Sequence, residues 1–129
     1  MMDPKHAKFV SKLNRDTKEG KIVWESSQIK PSSLSGTEVL MGTVYTVRIQ
    51  ERSLRLYKLQ SRYYHDEDSY TWADDYRLEF MDIWGNSEWT FPEDPALHDL
   101  YETVRYKTSK VQDFMDNYLS QQGEDPEPF

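Results

Sequence analysis

With 129 residues, no cysteine and 23 acidic side chains against 16 basic ones, the chain excludes several chemistries before any motif is read. Disulfides, thiolate metal sites and cysteine nucleophiles go together. The net charge of −7, with bases scattered among acids, argues against the basic face that a sequence-independent grip on nucleic acid needs. No apolar run approaches the roughly 20 residues that span a bilayer. The opening MMDPKHAKFV has no apolar stretch of the secretory kind, and the expectation is a cytoplasmic protein. A chain of this length can bury about two-thirds of its unfolded surface. Its four Trp and nine Tyr fit a packed core rather than disorder.

The first element reads as a helix. Asp3 stands where an N-cap accepts hydrogen bonds from free amides, Pro4 follows at the position that has no amide hydrogen to lose, and Gly20 suits a left-handed C-terminal cap. Phe9, Val10, Leu13 and Thr17 make a thin apolar stripe that must dock on something to be stable. KIVWES follows as a strand with Ile22 and Trp24 on one face, then the serine- and proline-rich loop SSQIKPSSLSGTE. TVYTVRIQ alternates cleanly, with Tyr45, Val47 and Ile49 on one side. LRLYKLQSRYY and YRLEFMDI also read as strands, but their apolar phase shifts midway. Such a shift means either a β-bulge or cover on both faces, by a second layer or a partner. WGNS is a turn and EWTF a last short strand. Asp94 and Pro95 then open a second helix by the same grammar, with Leu97, Leu100, Tyr101, Val104, Thr108, Val111, Phe114, Met115, Tyr118 and Leu119 in one stripe ending at Gly123. The reading is therefore an α+β domain over residues 1–122. An antiparallel meander of about five strands carries an N-terminal and a long C-terminal helix on one face. Residues 123–129, GEDPEPF, form an acidic, proline-rich disordered tail.

The opening has the pattern Phe9-x3-Leu13-x3-Thr17-x2-Gly20-x-Ile22-x-Trp24, across sixteen positions. It resembles the start of small, mostly uncharacterised bacterial proteins in which a helix runs into the first strand and a long helix follows a meander. The resemblance implies a bacterial setting and this architecture, and no activity or catalytic residue.

The stretch HDEDSYTWADD, residues 65–75, carries five acids and two aromatics. Calcium-loop spacing fails in it: Tyr70 stands at the fifth position counted from Asp66, and the turn glycine is missing. Zinc would need His6, His65 and His98, which are far apart, and no H-E-x-x-H occurs. All three read as structural or solvated histidines. There is no G-x-S-x-G elbow, Walker loop or G-x-G-x-x-G. No catalytic residue, metal ligand or cofactor is expected. With one strand ending at Tyr63 or Tyr64 and the next beginning near Asp75, the acids make a hairpin loop longer than the usual two to five residues. Overlong loops are often functional. Asp66, Glu67, Asp68, Tyr70, Trp72, Asp74 and Asp75 are therefore the candidate partner-binding residues, acids steering a basic partner and rings anchoring it.

The expectation is a non-enzymatic protein-binding module, in its sharper form an acidic inhibitor, immunity-type or adaptor protein. Its partner would be another protein, or a second copy joined through the sheet face that carries the phase shifts. The alternative is a small enzyme or ligand carrier with carboxylates in a cleft between sheet and helices.

Overall fold

A computed structural model describes residues 3–124. Helix α1 (Pro4–Lys18) starts as the sequence predicts: the Asp3 carboxylate accepts from the Lys5 N–H at 2.8 Å, and Pro4 takes the first position. It ends in a Schellman motif. Gly20, at φ +76°, lets its own N–H reach the Thr17 carbonyl at 3.2 Å, and the Lys21 N–H reaches that of Asp16 at 2.8 Å. Five antiparallel strands follow, β1 (Glu25–Ser27), β2 (Glu38–Ile49), β3 (Arg52–Asp66), β4 (Ser69–Met81) and β5 (Ser87–Thr90), hydrogen-bonded in sequence order. The expected meander and α+β class are observed. Ile22 and Trp24 lie just ahead of β1 rather than inside it, and Phe91 lies just beyond β5; all three pack on the core.

The helices lie on one face. Helix α2 (Pro95–Thr108) packs on β3 and β4, and α1 packs on α2. Val10, Leu13, Trp24, Leu97, Leu100 and Val104 meet Tyr45, Val47, Leu54, Leu56 and Leu78 of the sheet. Thr17 ties this core together: its hydroxyl donates to the Leu13 carbonyl at 2.7 Å and accepts from the Trp24 indole at 3.0 Å.

The phase shift along β3 comes from cover on both of its faces, and the nearby bulge lies in β2 instead. It interrupts the β2–β3 register between Met41 and Tyr45, with Gly42 at φ +76°. A second, smaller core sits on the far face, where Val44, Tyr57 and Leu59 are covered by Leu34 of the β1–β2 connection and by Leu40. Leu54, Arg55, Leu56 and Tyr57 are consecutive and all buried, because both faces of β3 are covered there.

The segment read as one C-terminal helix forms two. Thr108 and Ser109 turn their hydroxyls back onto the Val104 and Tyr106 carbonyls, and Lys110 adopts φ +57°. Side chains that compete for backbone bonds, next to a left-handed residue, end a helix. Helix α3 (Val111–Glu124) restarts beyond the break and includes Gly123, so Gly123 is no cap. Residues 125–129 of the expected tail lie outside the described residues. The first half of the apolar stripe is buried, whereas Phe114, Met115, Tyr118 and Leu119 are exposed. Only the first half covers the sheet.

Candidate functional site

The acidic stretch is not a long loop. Strand β3 continues to Asp66 and β4 begins at Ser69, leaving Glu67 and Asp68 as a tight turn. The Asp66 carboxylate accepts the Asp68 N–H at 2.9 Å and closes the turn, while an irregularity at His65 absorbs a register mismatch. Tyr63, Tyr64, Tyr70, Thr71 and Trp72 fit a pleated surface and pull both arms into the sheet, overriding the turn-forming acids beside them. The loop-length reason for singling out this stretch is thereby removed. What replaces it is a strand pair that outruns the helical layer.

The register then sorts the candidate residues. Tyr64 faces Tyr70, Arg62 faces Trp72 and Gln60 faces Asp74, all on the helix side of the sheet. Asp75, opposite Leu59, points to the far face. Asp66, Glu67 and Asp68 sit at the tip. The seven expected residues are thus split between a face, its reverse and a turn. The three that share the helix-side face join Tyr64, which the sequence reading placed at a strand end, and Arg62, which it passed over. The Arg62 guanidinium lies 5.0 Å from the Tyr70 ring centroid and 5.5 Å from that of Trp72, and it donates to the Tyr64 hydroxyl at 3.3 Å. That bond holds Arg62 firmly in its charged form. The Tyr64 and Tyr70 rings pack at 5.5 Å, and Tyr70 meets Trp72 edge-on at 6.1 Å. Arg62 has no carboxylate partner among the described residues.

The remaining acids are engaged. The Gln60 amide on Asp74 at 2.8 Å, with Lys58 at 3.5 Å, holds that carboxyl below its ordinary range. Asp75 accepts from the Ser61 hydroxyl at 3.2 Å. Asp94 caps α2 through the Ala96 N–H at 2.9 Å. Glu93 is pushed upward by burial and then by the Asp75 charge. These four acids and His98 line a shallow depression of about 420 Å³ at the junction of sheet and helix. His98 lies against Tyr76 at 4.8 Å, and His6 packs between Trp89 and Phe91, so the latter is structural rather than solvated. Among the described residues no three His, Asp or Glu side chains converge as cation ligands, and no helix is long and apolar enough to cross a membrane.

A polar cluster on the far face went unseen in the sequence. Glu79 is fully buried (0% exposed) and Arg55 nearly so (3%). Arg55 Nε donates to Glu79 Oε1 at 2.6 Å, Nη2 touches the same oxygen, and Nη1 donates to the Gly85 carbonyl at 2.9 Å. The Ser33, Tyr57 and Thr90 hydroxyls donate to the same carboxylate, at 3.1, 3.3 and 3.4 Å. Burial pushes the Tyr57 phenol up. Arg77, beside it, binds Glu38 through two nitrogens, at 2.8 and 3.3 Å. The cluster fixes the Ser32–Leu34 loop and the Asp82–Gly85 turn to the sheet. Beside it opens a cleft of about 830 Å³, with Thr46, Arg48, Ser53 and Arg55 along the sheet and Ile83 and Trp84 at the rim. Two of its arginines are already occupied, Arg55 as described and Arg52 by Glu88 at 3.2 Å.

No family model, curated protein or solved structure matches the chain.

Proposed function

We propose that this chain is a non-enzymatic protein-binding module that receives its partner on the helix-side face of the β3–β4 hairpin. One observation carries the reading: Arg62 lies against Tyr70 and Trp72, with Tyr64 completing the patch, where no helix covers the sheet. Tyr, Trp and Arg are the residues that concentrate binding energy in protein interfaces. Here each ring is held by its neighbours before any partner arrives, which lowers the entropy cost of docking. Asp66, Glu67 and Asp68 at the tip add a negative field that speeds encounter with a basic surface and sets orientation more than affinity. Three of the four carboxylates at the sheet–helix junction, Asp74, Asp75 and Asp94, are engaged in capping and side-chain bonds, which favours binding over catalysis as the role of this end of the molecule.

The test compares two tagged baits in extract of the native host, read by mass spectrometry. Wild type should enrich specific proteins, its own untagged copies included. Trp72→Ala combined with Asp66→Lys and Asp68→Lys should lose them while melting within a few degrees of wild type. Equal capture by both baits would refute the assignment.

A further inference from the structure

Two of the exposed apolar surfaces among the described residues suit each other. The first is the hairpin face just described, where Trp72 remains 44% exposed and Tyr64 and Tyr70 are similarly open. It continues the sheet face that α2 covers further down, but α2 stops short of it. The second is α3, where Val111, Phe114, Met115, Tyr118 and Leu119 recur at helical spacing. Phe114 is 71% and Leu119 62% exposed. An isolated helix of 14 residues is marginal in water, and most helical stability comes from packing an amphipathic face. The sheet end is a layer without its helix, and α3 is a helix without its sheet.

We infer that the chain is a homodimer in which α3 of each copy lies on the β3–β4 hairpin of the other. The inference rests on the hairpin reading above and names its occupant. Area decides between this arrangement and the use of either surface alone. A large aromatic side chain buries about 150–250 Å², so half-open residues leave roughly 100 Å² each. That gives about 300 Å² on the hairpin and 400 Å² on α3, counting Tyr64, Tyr70 and Trp72 against Phe114, Met115, Tyr118 and Leu119. Either surface paired only with itself would bury about 600–800 Å² in total, the size of a crystal contact. The reciprocal pair buries roughly 1,400 Å², within the range of stable, specific complexes. Two equivalent contacts related by a two-fold axis also close the assembly, whereas one repeated head to tail would run on into a fibre. Charge is mixed: helix α3 carries Asp113 and Asp116 and no base, which suits Arg62 at the centre of the patch but not Asp66, Glu67 and Asp68 at the hairpin tip, so area rather than charge selects the occupant. The break at Lys110 turns α3 out of line with α2 and so makes it available to a neighbour.

The full-length chain is tested by light scattering coupled to size exclusion at about 50 μM, a concentration that populates even a micromolar interface of this size. Wild type should run at twice the chain mass. Phe114→Glu and Trp72→Glu should each be monomeric, with far-UV circular dichroism and melting temperature close to wild type. Mixed together they keep one intact α3 on one intact hairpin, about 700 Å², so at several hundred micromolar the mixture should exceed the mass of either variant alone without reaching the wild-type dimer. A dimer that survives Trp72→Glu but not Phe114→Glu would mean that α3 pairs with α3 and would overturn the inference. So would a mixture that associates no more than either variant alone at that concentration. A monomeric wild type whose hairpin-substituted bait still loses host proteins would overturn the dimer and leave the docking reading standing. Indifference of both mass and capture to the hairpin substitutions would remove both.

Discussion

Replacing Arg55 by Met should be the most damaging single change on the far face of the sheet. Glu79 is wholly buried, and among the described residues Arg55 is the only cation bonded to it. The variant would leave a carboxylate in the interior with three neutral hydroxyls, those of Ser33, Tyr57 and Thr90. Removing one partner of a buried pair costs about 3–5 kcal/mol, because the remaining charge is uncompensated. For a domain of this length that is a fall in melting temperature of about 10–20 °C. Arg55→Met together with Glu79→Leu should recover part of the loss. Swapping a buried pair for apolar residues is often neutral, and here the hydroxyls and the Gly85 carbonyl left without partners keep the cost at about 1–3 kcal/mol. Urea unfolding of wild type, both single variants and the double at pH 7 gives the cycle, read from midpoints at an unchanged slope. A coupling energy of about 3 kcal/mol or more is expected. Additive losses, or an Arg55→Met loss under about 1 kcal/mol, would refute the idea that this pair locks the loop and turn to the sheet.

Two further expectations concern Glu38 and Gly42. The Arg77 hydrogen bond holds the Glu38 carboxyl below its ordinary value of 4.5, against a smaller opposing effect of burial. A depressed folded-state value means the pair stabilises fully above about pH 4.5 and loses this as pH falls through the lowered value. Glu38→Gln should therefore cost about 1–2 kcal/mol at neutral pH and progressively less as pH falls through the lowered value, and a gap that stays constant into the acid limit of folding would exclude the ion pair as its source. Glu93, raised by burial and by Asp75, works in the opposite sense, its stabilisation being complete in acid and lost as pH rises through the raised value. Gly42→Ala should cost about 2 kcal/mol, since an L side chain is disfavoured at φ +76° and its Cβ would stand 3.2 Å from the Tyr101 hydroxyl. A thermal melt within about 2 °C of wild type would show that the bulge relaxes freely.

Much of this fold was legible because the deciding signals were local. The aspartate–proline starts of α1 and α2 and the glycine end of α1 act within a turn, and all three stand as read. The strands were legible from alternation, and the shift of phase along β3 left a bulge or cover on both faces open, of which the fold shows the second. The reading failed where two local signals competed. At residues 65–75 the count of acids suggested a loop, but Tyr70, Thr71 and Trp72 are better strand formers than Asp66–Asp68 are loop formers, and the turn shrank to its tip. At 108–110 the continuous apolar stripe outweighed three residues, Thr108, Ser109 and Lys110, whose backbone-bonding side chains and left-handed conformation end the helix. The site residues Arg62 and Tyr64 depend on register. Once Glu67 and Asp68 are known to form the turn, pairing by twos places Tyr64 on Tyr70 and Arg62 on Trp72. The Arg55–Glu79 pair had no such route, because a lone charge in an apolar strand does not announce its partner two dozen residues away.

Strands β3 and β4 thus have two ends with different demands. At one, Glu79, Arg55 and Ser33 fasten the pair to a loop and a turn. At the other, about 23–30 Å further on at 3.3 Å per residue, the same two strands carry Arg62, Tyr70 and Trp72 into the open. A free hairpin alone is marginally stable, and these rings would collapse or splay without support. Anchored at its base and paired without interruption from Ser53 to Tyr64, the hairpin becomes an extension of a folded sheet. Its patch is then rigid enough to bind without first being ordered. The two ends should separate experimentally. Ser33→Ala weakens the base by about 1 kcal/mol and, acting far from the patch, should leave the dimer mass unchanged. A loss of dimer in that variant, at a temperature where it is fully folded, would show that the two ends are coupled and that the hairpin is a lever rather than a fixed platform.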